Sequence, residues 1–247
     1  MHRLLIVLMC TLVSAPAFGS FDFAPIIATL TPTGSGASAS FIIQNADDTK
    51  LPVQVSLVHR DPDFEGKEDL KETPDIDDLF QIYPAQIILA PKEKRTVRIT
   101  WIGDPKPKRE LAFRMIAEEL PIDLEENKTY SKPVAKVRIA TKYVGSLYVG
   151  PAGARAQLMA TAAPTEDKQP KLALEIQNLG TAHKVLANMQ LKLTPSAGGA
   201  DYEFSKTDLQ SFNTQNVLAG KTRKFVMDWP KGFPVGPVKV ALAVPEE

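Results

Sequence analysis

The chain has 247 residues, and its 29 basic and 29 acidic side chains give a formal net charge of zero. Such a chain lacks the net basic field that gathers nucleic acid, so nucleic acid is not expected as a partner. Its 20 prolines and 14 glycines are spread along the sequence. Together with short apolar runs, they favour strands separated by turns over long helices.

Residues 1–19 have the pattern of a secretory signal peptide. Arg3 gives a positive start, residues 4–13 form a short apolar run, and residues 17–19 are a small-x-small cleavage site. We expect this segment to be removed and the rest of the chain to be exported. Later apolar runs are all shorter than the roughly 20 residues that cross a bilayer, so membrane insertion is not expected.

The only cysteine, Cys10, lies within the predicted signal peptide. The residue before it, Met9, is not the small residue that a lipoprotein signal needs. The mature protein is therefore expected to have no disulfide and no cysteine metal site. Its length is sufficient for two domains of ordinary size, which must be stabilised by their hydrophobic cores alone.

The first half of the mature chain has the strand pattern of an immunoglobulin-like sandwich. The segment 61–78 interrupts this pattern with charge and proline and is predicted to be a surface loop. The seven strand candidates are 21–30, 39–44, 53–59, 79–83 continuing toward 88, 95–101, 110–118 and 133–149.

The last candidate, 133–149, alternates apolar and polar residues for longer than the about five or six residues of an ordinary strand. A strand of this length could offer part of itself to a partner chain as well as to its own sheet. One face carries Ala135, Val137, Ile139, Tyr143, Leu147 and Val149, and the other carries Lys136, Arg138, Lys142 and Ser146.

A second series of strands follows a break at residues 151–153. We therefore predict an all-β protein of two immunoglobulin-like sandwiches, with domains at 20–150 and 151–247. Because the boundary is only a few residues long, a fixed angle with a cleft between the domains is expected. The second-domain candidates are 156–161, 171–177, 185–193, 221–228 and 238–244.

Several motifs in the first domain occur in a distinctive order and spacing. They resemble the signature of the periplasmic pilus-assembly chaperones of the chaperone-usher pathway, over residues 21–150, with a weaker likeness at Ile176-Gln177-Asn178. The motifs are Ile43-Gln44-Asn45 before Leu51-Pro52, Tyr83-Pro84-Ala85-Gln86-Ile87-Ile88-Leu89-Ala90-Pro91, Lys94-Arg95-Thr96-Val97-Arg98-Ile99, Arg109-Glu110-Leu111-Ala112-Phe113-Arg114-Met115 and Glu119-Leu120-Pro121.

This resemblance implies two domains in a boomerang arrangement and a non-enzymatic function in the periplasm. The last strand of the first domain would be lent to an incomplete pilin subunit, with Ala135, Val137 and Ile139 as donor residues. The implied partners are pilin subunits and an outer-membrane usher, and no cofactor or metal is implied. Whether the subunit-free protein caps its own strand by forming a homo-oligomer is left open.

Members of the resembled family hold the pilin's terminal carboxylate with an arginine on the first strand and a lysine on the last. In this sequence Thr29 and Val144 fall at those positions. We predict a displaced anchor in which Lys142, on the same face as Val144, acts with Arg98 on a neighbouring strand. For Arg98, a structural ion pair with an acidic neighbour is an equal alternative. These departures indicate a divergent branch, similar to the archaic or alternative pilus chaperones.

The remaining polar clusters favour structural interpretations. His59, Arg60, Asp61 and Asp63 are typical of a solvated turn rather than of a metal site, and His183 lies at a turn without a nearby ligand. An alternative function stays open: a secreted two-domain β-sandwich that binds a carbohydrate or a surface protein. A carbohydrate-binding module should expose aromatic side chains, and the chain has only two tryptophans.

Overall fold

The computed structural model describes residues 19–122 and 140–246. Residues 1–18 of the predicted signal peptide lie outside the described residues. The proposed donor residues Ala135, Val137 and Ile139 also lie outside them.

The first domain contains a four-stranded sheet, in the order β1-β3-β7-β5, and a five-stranded sheet, in the order β2-β9-β8-β4-β6. The short helix α1 (Ile76–Leu79) precedes β5 and forms the end of the predicted surface loop. The strands are β1 (Phe21–Ala24), β2 (Ile27–Leu30), β3 (Ser38–Asn45), β4 (Leu51–His59), β5 (Phe80–Tyr83), β6 (Gln86–Leu89), β7 (Lys94–Trp101), β8 (Leu111–Glu119) and β9 (Lys142–Val149).

Alternate residues of these strands form one apolar core between the two sheets. Phe41 on β3 and Val97 on β7 are fully buried on the inner face of the four-stranded sheet. Phe113 and Met115 on β8 and Leu147 on β9 pack against them from the five-stranded sheet. This two-residue period is what the alternating sequence pattern predicts for a sandwich.

Two of the predicted strands are each divided in two. The candidate 21–30 is interrupted at Pro25, so that β1 pairs with β3 in one sheet and β2 pairs with β9 in the other. The candidate running from 79 toward 88 is interrupted at Pro84 between β5 and β6, which also belong to different sheets. Because proline has no backbone N–H to donate, it favours a break in the ladder at both places.

The second domain is a smaller sandwich of two three-stranded sheets, in the orders β10-β11-β16 and β14-β13-β17, with a two-stranded pairing of β12 and β15. The predicted strand 185–193 is divided into β12 and β13, and the short strands β14 and β15 were not predicted. The strands are β10 (Leu158–Pro164), β11 (Lys171–Asn178), β12 (Lys184–Val185), β13 (Gln190–Pro195), β14 (Tyr202–Glu203), β15 (Asn216–Val217), β16 (Thr222–Asp228) and β17 (Val238–Ala243).

A buried asparagine ends the corresponding strand in each domain. The side chain of Asn45, at the end of β3, donates to the carbonyl oxygens of Thr49 and Ala90 at 2.7 and 2.9 Å. Asn178, at the end of β11, donates to those of Ala182 and Val217 at 2.8 and 3.0 Å. The Ile-Gln-Asn motif therefore marks the same structural position twice, and the predicted all-β class with two sandwiches is confirmed.

Candidate functional site

In the part of the chain that the structure describes, strand β9 has two neighbours along only half of its length. It pairs with β8 from Lys142 to Val149, whereas the parallel strand β2 pairs with it only from Ser146 onward. Among the described residues, the first half of β9, which follows residues 133–139 in sequence, therefore has β8 as its only ladder partner. The other half is held on both sides.

The described part of β9 has the two faces that its sequence predicts. Leu147 and Val149 are fully buried in the core of the first domain, and Tyr143 packs against that core. Lys142 and Val144 are exposed on the opposite face. On this outer face Lys142 lies beside Glu118 of β8. Each later pair of opposite residues on β8 and β9 lies closer to the second domain.

Lys142 forms an exposed ion pair with Glu118 on this outer face. Its Nζ lies 3.0 Å from Oε2 of Glu118, and its side chain is 47% exposed. Exposed ion pairs of this kind contribute only about 0–1 kcal/mol, so an incoming carboxylate could replace Glu118 at little cost.

Arg98 does not lie beside Lys142, and its predicted place on a neighbouring strand is wrong. It belongs to β7 in the four-stranded sheet, whereas β9 lies between β2 and β8 in the other sheet. Val97 and Ile99 point into the core, so Arg98 is exposed on the outside of its own sheet. Among residues 19–122 and 140–246 it has no ion-pair partner. Its role as an anchor stays a prediction.

A partly buried ion cluster occupies the outer face of β8 and β9 nearer the second domain, and we call it the arginine clamp (Arg60, Arg114 and Glu68). Nε of Arg60 donates to Oε1 of Glu68 at 2.9 Å, and Nη2 of Arg114 donates to the same oxygen at 2.7 Å. Nε of Arg114 donates to the second carboxylate oxygen. Both arginines thus share one carboxylate, and the side chains of Arg60, Arg114 and Glu68 are only 9%, 19% and 15% exposed.

Strand β9 orients both arginines of the clamp. Nη1 of Arg114 donates to Oγ of Ser146 at 2.7 Å, and Nη1 of Arg60 donates to the hydroxyl of Tyr148 at 2.6 Å. Nη2 of Arg60 also reaches the second domain, where it donates to Oδ1 of Asn216 at 3.1 Å. The side-chain amide of Asn216 donates in turn to Tyr148 at 3.0 Å. A continuous set of hydrogen bonds therefore joins β9 to both domains.

Opposing effects act on the pKa of Glu68. Burial raises the pKa of this carboxyl, but hydrogen bonds from Arg114 and Arg60 and their positive charges outweigh burial and hold it below its usual value. Glu68 is therefore ionised at neutral pH, and its charge compensates only part of the positive charge of the clamp.

His183 makes a second contact between the domains, which corrects the prediction that it has no nearby ligand. Its ring stacks on that of Tyr148, and its Nδ1 lies 2.7 Å from Oε1 of Glu110, next to β8. The backbone N–H of His183 donates to the same oxygen at 3.0 Å. The turn thus packs against the first domain through His183.

The predicted surface loop also fastens the first domain to β16. The carbonyl oxygen of Phe64 accepts from the N–H of Lys224 at 2.7 Å, and that of Glu65 accepts from Nη2 of Arg223 at 3.2 Å. Oδ1 of Asp61 lies 2.5 Å from Nζ of Lys221. The predicted solvated turn at His59–Asp63 is wrong for Arg60, whose side chain is only 9% exposed and contacts the second domain, whereas Asp61 and Asp63 are exposed as predicted.

Sequence analysis did not identify the clamp, although β8 contains a signal for it. Arg114 stands between the buried Phe113 and Met115, in a strand whose other residues from Leu111 to Ala117 are apolar, so its side chain is on the outer face. A charge at the centre of a sheet face requires a partner. Nothing in the sequence indicates that this partner is Glu68, which is 46 residues away in an irregular loop.

Within the described parts of the chain, no helix is long and apolar enough to cross a membrane. Among the same residues, no group of three or more histidine, cysteine, aspartate or glutamate side chains could hold a metal ion.

Comparison with known families gives one match. The sequence model described as pili and flagellar-assembly chaperone, PapD N-terminal domain, matches residues 28–155. This range is just over half of the chain and includes nearly all strands of the first domain. A search of curated proteins found no match.

Comparison with solved structures gives full-length matches. A chain from the chaperone–tip adhesin complex of CFA/I fimbriae aligns with a TM-score of 0.56 at 15% identity, covering 92% of this chain and 99% of the other. The class 5 fimbriae chaperone CfaA aligns at 0.55 and 15%, with coverages of 92% and 100%. A chain of the archaic CsuC–CsuE pre-assembly complex from Acinetobacter baumannii aligns at 0.51 and 16%, with coverages of 84% and 90%. At these identities the likeness shows a common two-domain fold.

Proposed function

The chain belongs to the family of pili and flagellar-assembly chaperones, and on this basis we propose that it binds, folds and caps pilin subunits by donor-strand complementation. The proposal places the mature protein in the periplasm, where it delivers each subunit to an outer-membrane usher. Its function is that of an assembly chaperone rather than an enzyme.

The observation that carries this proposal is the uneven pairing of β9. The strand is held between β8 and β2 from Ser146 to Val149, whereas within residues 19–122 and 140–246 its beginning pairs with β8 alone. Residues 133–139, which lead directly into that beginning, alternate Ala135, Val137 and Ile139 with polar residues. An extension of β9 in this direction would present a backbone edge together with a row of apolar side chains.

Both features are what an incomplete sandwich needs. A subunit that lacks one strand exposes an apolar groove and two unpaired sheet edges, which make it prone to aggregation. The lent strand would pair with those edges, and its alternate side chains would fill the groove. Each fully buried valine or isoleucine contributes about 1.5–3 kcal/mol, so Val137 and Ile139 can supply much of the affinity.

Lys142 is the proposed anchor for the terminal carboxylate of the subunit. Its weak ion pair with Glu118 and its exposure support this role. Arg98 is on the outside of the other sheet, so any contact it makes would be with a different part of the subunit from that held by Lys142. Without a subunit, the same strand could pair with a second copy of the chain, and the resulting homo-oligomer should dissociate when a pilin is added.

The proposal is tested by co-expressing the chain with a strand-deficient pilin and measuring copurification. Ile139→Asp should abolish the complex, because it places a charge in the apolar groove. Ile102→Asp is the matched control, since Ile102 is 53% exposed in a loop beyond β7. Its complex should persist. Full copurification with Ile139→Asp would refute donor-strand binding at this position.

A further inference from the structure

Ser20, the expected first residue of the mature chain, lies against a buried carboxylate. Its hydroxyl donates to Oε2 of Glu119 at 2.9 Å, and its backbone nitrogen donates to Oγ1 of Thr141 at 3.0 Å. We propose that removal of the signal peptide creates an ion pair between the α-ammonium group of Ser20 and Glu119, and that this pair fastens the start of β9 in the processed protein alone. The proposal rests on the proposed function, which includes both the export of the chain and the lending of its strand.

Cleavage converts an uncharged donor into a charged one. Hydrolysis of the Gly19–Ser20 peptide bond by a signal peptidase consumes one water molecule and leaves a carboxylate on Gly19, which departs with the signal peptide. The released amine of Ser20 takes up a proton at neutral pH, because the pKa of an α-amino group is about 7.7–8.0. The nitrogen that donates a single hydrogen bond as an amide then has several N–H donors and a positive charge.

The position of Ser20 does not depend on its own side chain. Its carbonyl oxygen accepts from the N–H of Ala46 at 3.0 Å, and the next residue, Phe21, begins the ladder of β1 with β3. The hydroxyl of Tyr143 on β9 donates to the carbonyl oxygen of Phe21 at 2.8 Å. The nitrogen of Ser20 is therefore already placed beside Glu119 when the charge appears, as a preorganised ion pair requires.

The surroundings of this nitrogen are partly closed to solvent. Glu119 is only 8% exposed, and Ser20 and Thr141 are half-buried. A Cβ at Gly19 would lie 3.2 Å from Cγ2 of Thr141 and from Oη of Tyr143, so the chain at this point runs close against β9. Hydrogen bonds with a charged partner are about twice as strong as neutral ones, and partial burial reduces screening by salt. The pair should therefore contribute more than an ion pair on the surface.

The pair joins both flanks of the segment that contains the proposed donor residues. Glu119 is the last residue of β8, and Thr141 directly precedes β9. The backbone N–H of Glu119 donates to the carbonyl oxygen of Thr141 at 3.0 Å, so the two flanks meet at this point. An ammonium group bonded to both residues would hold the flanks together where the lent strand begins. The uncleaved precursor has an amide in its place and lacks this charged contact.

The first test identifies the first residue of the exported protein. Mass spectrometry of the protein recovered from the periplasm should give a chain that begins at Ser20. A chain that begins at another residue would overturn the proposal, because its ammonium group would lie elsewhere.

The second test removes the charge without changing the sequence. Enzymatic acetylation of the Ser20 amine, on the full mature chain, restores an uncharged amide like the Gly19–Ser20 peptide bond. In urea unfolding, acetylation should lower the equilibrium constant for folding about tenfold. In Glu119→Gln the same acetylation should change this constant less than about twofold, since the carboxylate is gone. Glu118→Gln, whose side chain is 34% exposed on the outer face, is the matched control and should show the full effect of acetylation.

A titration of the free amine covers the case in which Glu119→Gln does not fold. The pKa of the Ser20 amine, followed by NMR, should be higher in the folded wild type than in the unfolded chain, because a neighbouring carboxylate favours the ammonium form. Burial of the amine without an ion pair would lower this pKa instead. The direction of the change therefore separates an ion pair from simple burial.

Two further outcomes would overturn the proposal: an effect of acetylation that is equal in the wild type and Glu119→Gln, or an amine pKa that is lower in the folded chain. None of these measurements contains a pilin, so their failure would leave donor-strand binding standing. Failure of the Ile139→Asp experiment would likewise leave the ion pair of Ser20 and Glu119 unaffected.

Discussion

The ring of His183 lies flat on the ring of Tyr148, with centroids 3.8 Å apart and 8° between the planes. Tyr148 belongs to the last strand of the first domain, and His183 to the second domain. The hydroxyl of the same tyrosine accepts hydrogen bonds from Arg60 and Asn216. The strand proposed to bind the subunit therefore has, next to its last residue, a tyrosine that contacts both domains.

Removing the hydroxyl of Tyr148 should weaken the contact between the domains. Tyr148→Phe keeps the stacked ring but leaves Arg60 and Asn216 without one acceptor, and the expected loss is about 1–3 kcal/mol of unfolding free energy. Denaturant unfolding measures the loss, and small-angle X-ray scattering should show a broader distribution of shapes. Tyr143→Phe is the control, because it removes only a hydrogen bond to Phe21 within the first domain. An unchanged scattering profile for Tyr148→Phe would contradict the prediction.

The ionisation of Glu68 should make stability depend on pH in the acidic range. The pKa of Glu68 is lower in the folded protein than the usual value of a glutamate carboxyl, so its stabilising contribution is complete above that usual value and is lost as the pH falls through the folded pKa. For one group the slope cannot exceed about 1.4 kcal/mol per pH unit. Glu68→Gln should therefore be less stable than the wild type at neutral pH and should lose less stability on acidification.

Urea unfolding at a series of pH values between neutral and about 3 measures this difference. Glu72→Gln, at an exposed position of the same loop, is the control and should follow the wild-type curve. If the free energy of unfolding falls equally with acidification for Glu68→Gln and the wild type, the arginine clamp does not determine the loss of stability at acidic pH.

Gly66→Ala should separate the loop from the second domain. A Cβ at Gly66 would lie 1.8 Å from Nη2 of Arg223, so the arginine would have to leave its place, and φ is +91°. Gly34→Ala is a matched control, because Gly34 has φ +75° but no atom within 4 Å of its Cβ. In both variants, alanine at a positive φ lowers the stability by about 1 kcal/mol. Only Gly66→Ala should lose further stability in thermal unfolding, because its Cβ displaces Arg223. Equal losses of stability in the two variants would exclude this steric effect.

Gly145→Ala should weaken the pairing of β2 with β9. A Cβ at this position would lie 2.6 Å from the carbonyl oxygen of Ile26, a contact that forces the two segments apart. The expected loss is about 1–3 kcal/mol of unfolding free energy. At Gly236 a Cβ meets nothing within 4 Å, so Gly236→Ala should change stability little. If Gly145→Ala is as stable as the wild type, the two segments can move apart without a loss of stability.

Lys142→Met should reduce copurification with a pilin several-fold while leaving the unfolding midpoint nearly unchanged. The substitution removes a charge from the proposed anchor but only a surface ion pair from the free protein. Lys192→Met is the control, because Lys192 is similarly exposed and is paired with Asp201 in the second domain. If both variants retain the pilin equally, Lys142 is not the anchor.

The sequence predicts most of the strands because burial on one face imposes a two-residue period. Candidates such as 39–44 and 95–101 match β3 and β7 to within one residue at each end. The divisions at Pro25 and Pro84 were not predicted, since the apolar pattern continues across both prolines while the chain passes from one sheet to the other.

The candidate site is predicted less completely, because it depends on which sheet each strand joins. Alternation shows that Arg98 points away from the core, but it does not show that β7 and β9 lie in different sheets. Likewise, Arg114 is recognisable as a charge on the outer face of β8, whereas its pairing with Glu68 depends on the path of a loop without periodicity. Local pattern gives the orientation of a side chain, and only the fold gives its neighbour.

The pairing of β9 with β2 from Ser146 onward also affects how β9 would respond to a pulling force. Force applied to a subunit held on the extended strand would pull along the axis of β9. The ladders to β8 and β2 run side by side along that axis, so their hydrogen bonds would be loaded together in shear rather than opened one after another. The second half of β9 would thus resist tension on a bound subunit better than the first half, which pairs with β8 alone among the described residues.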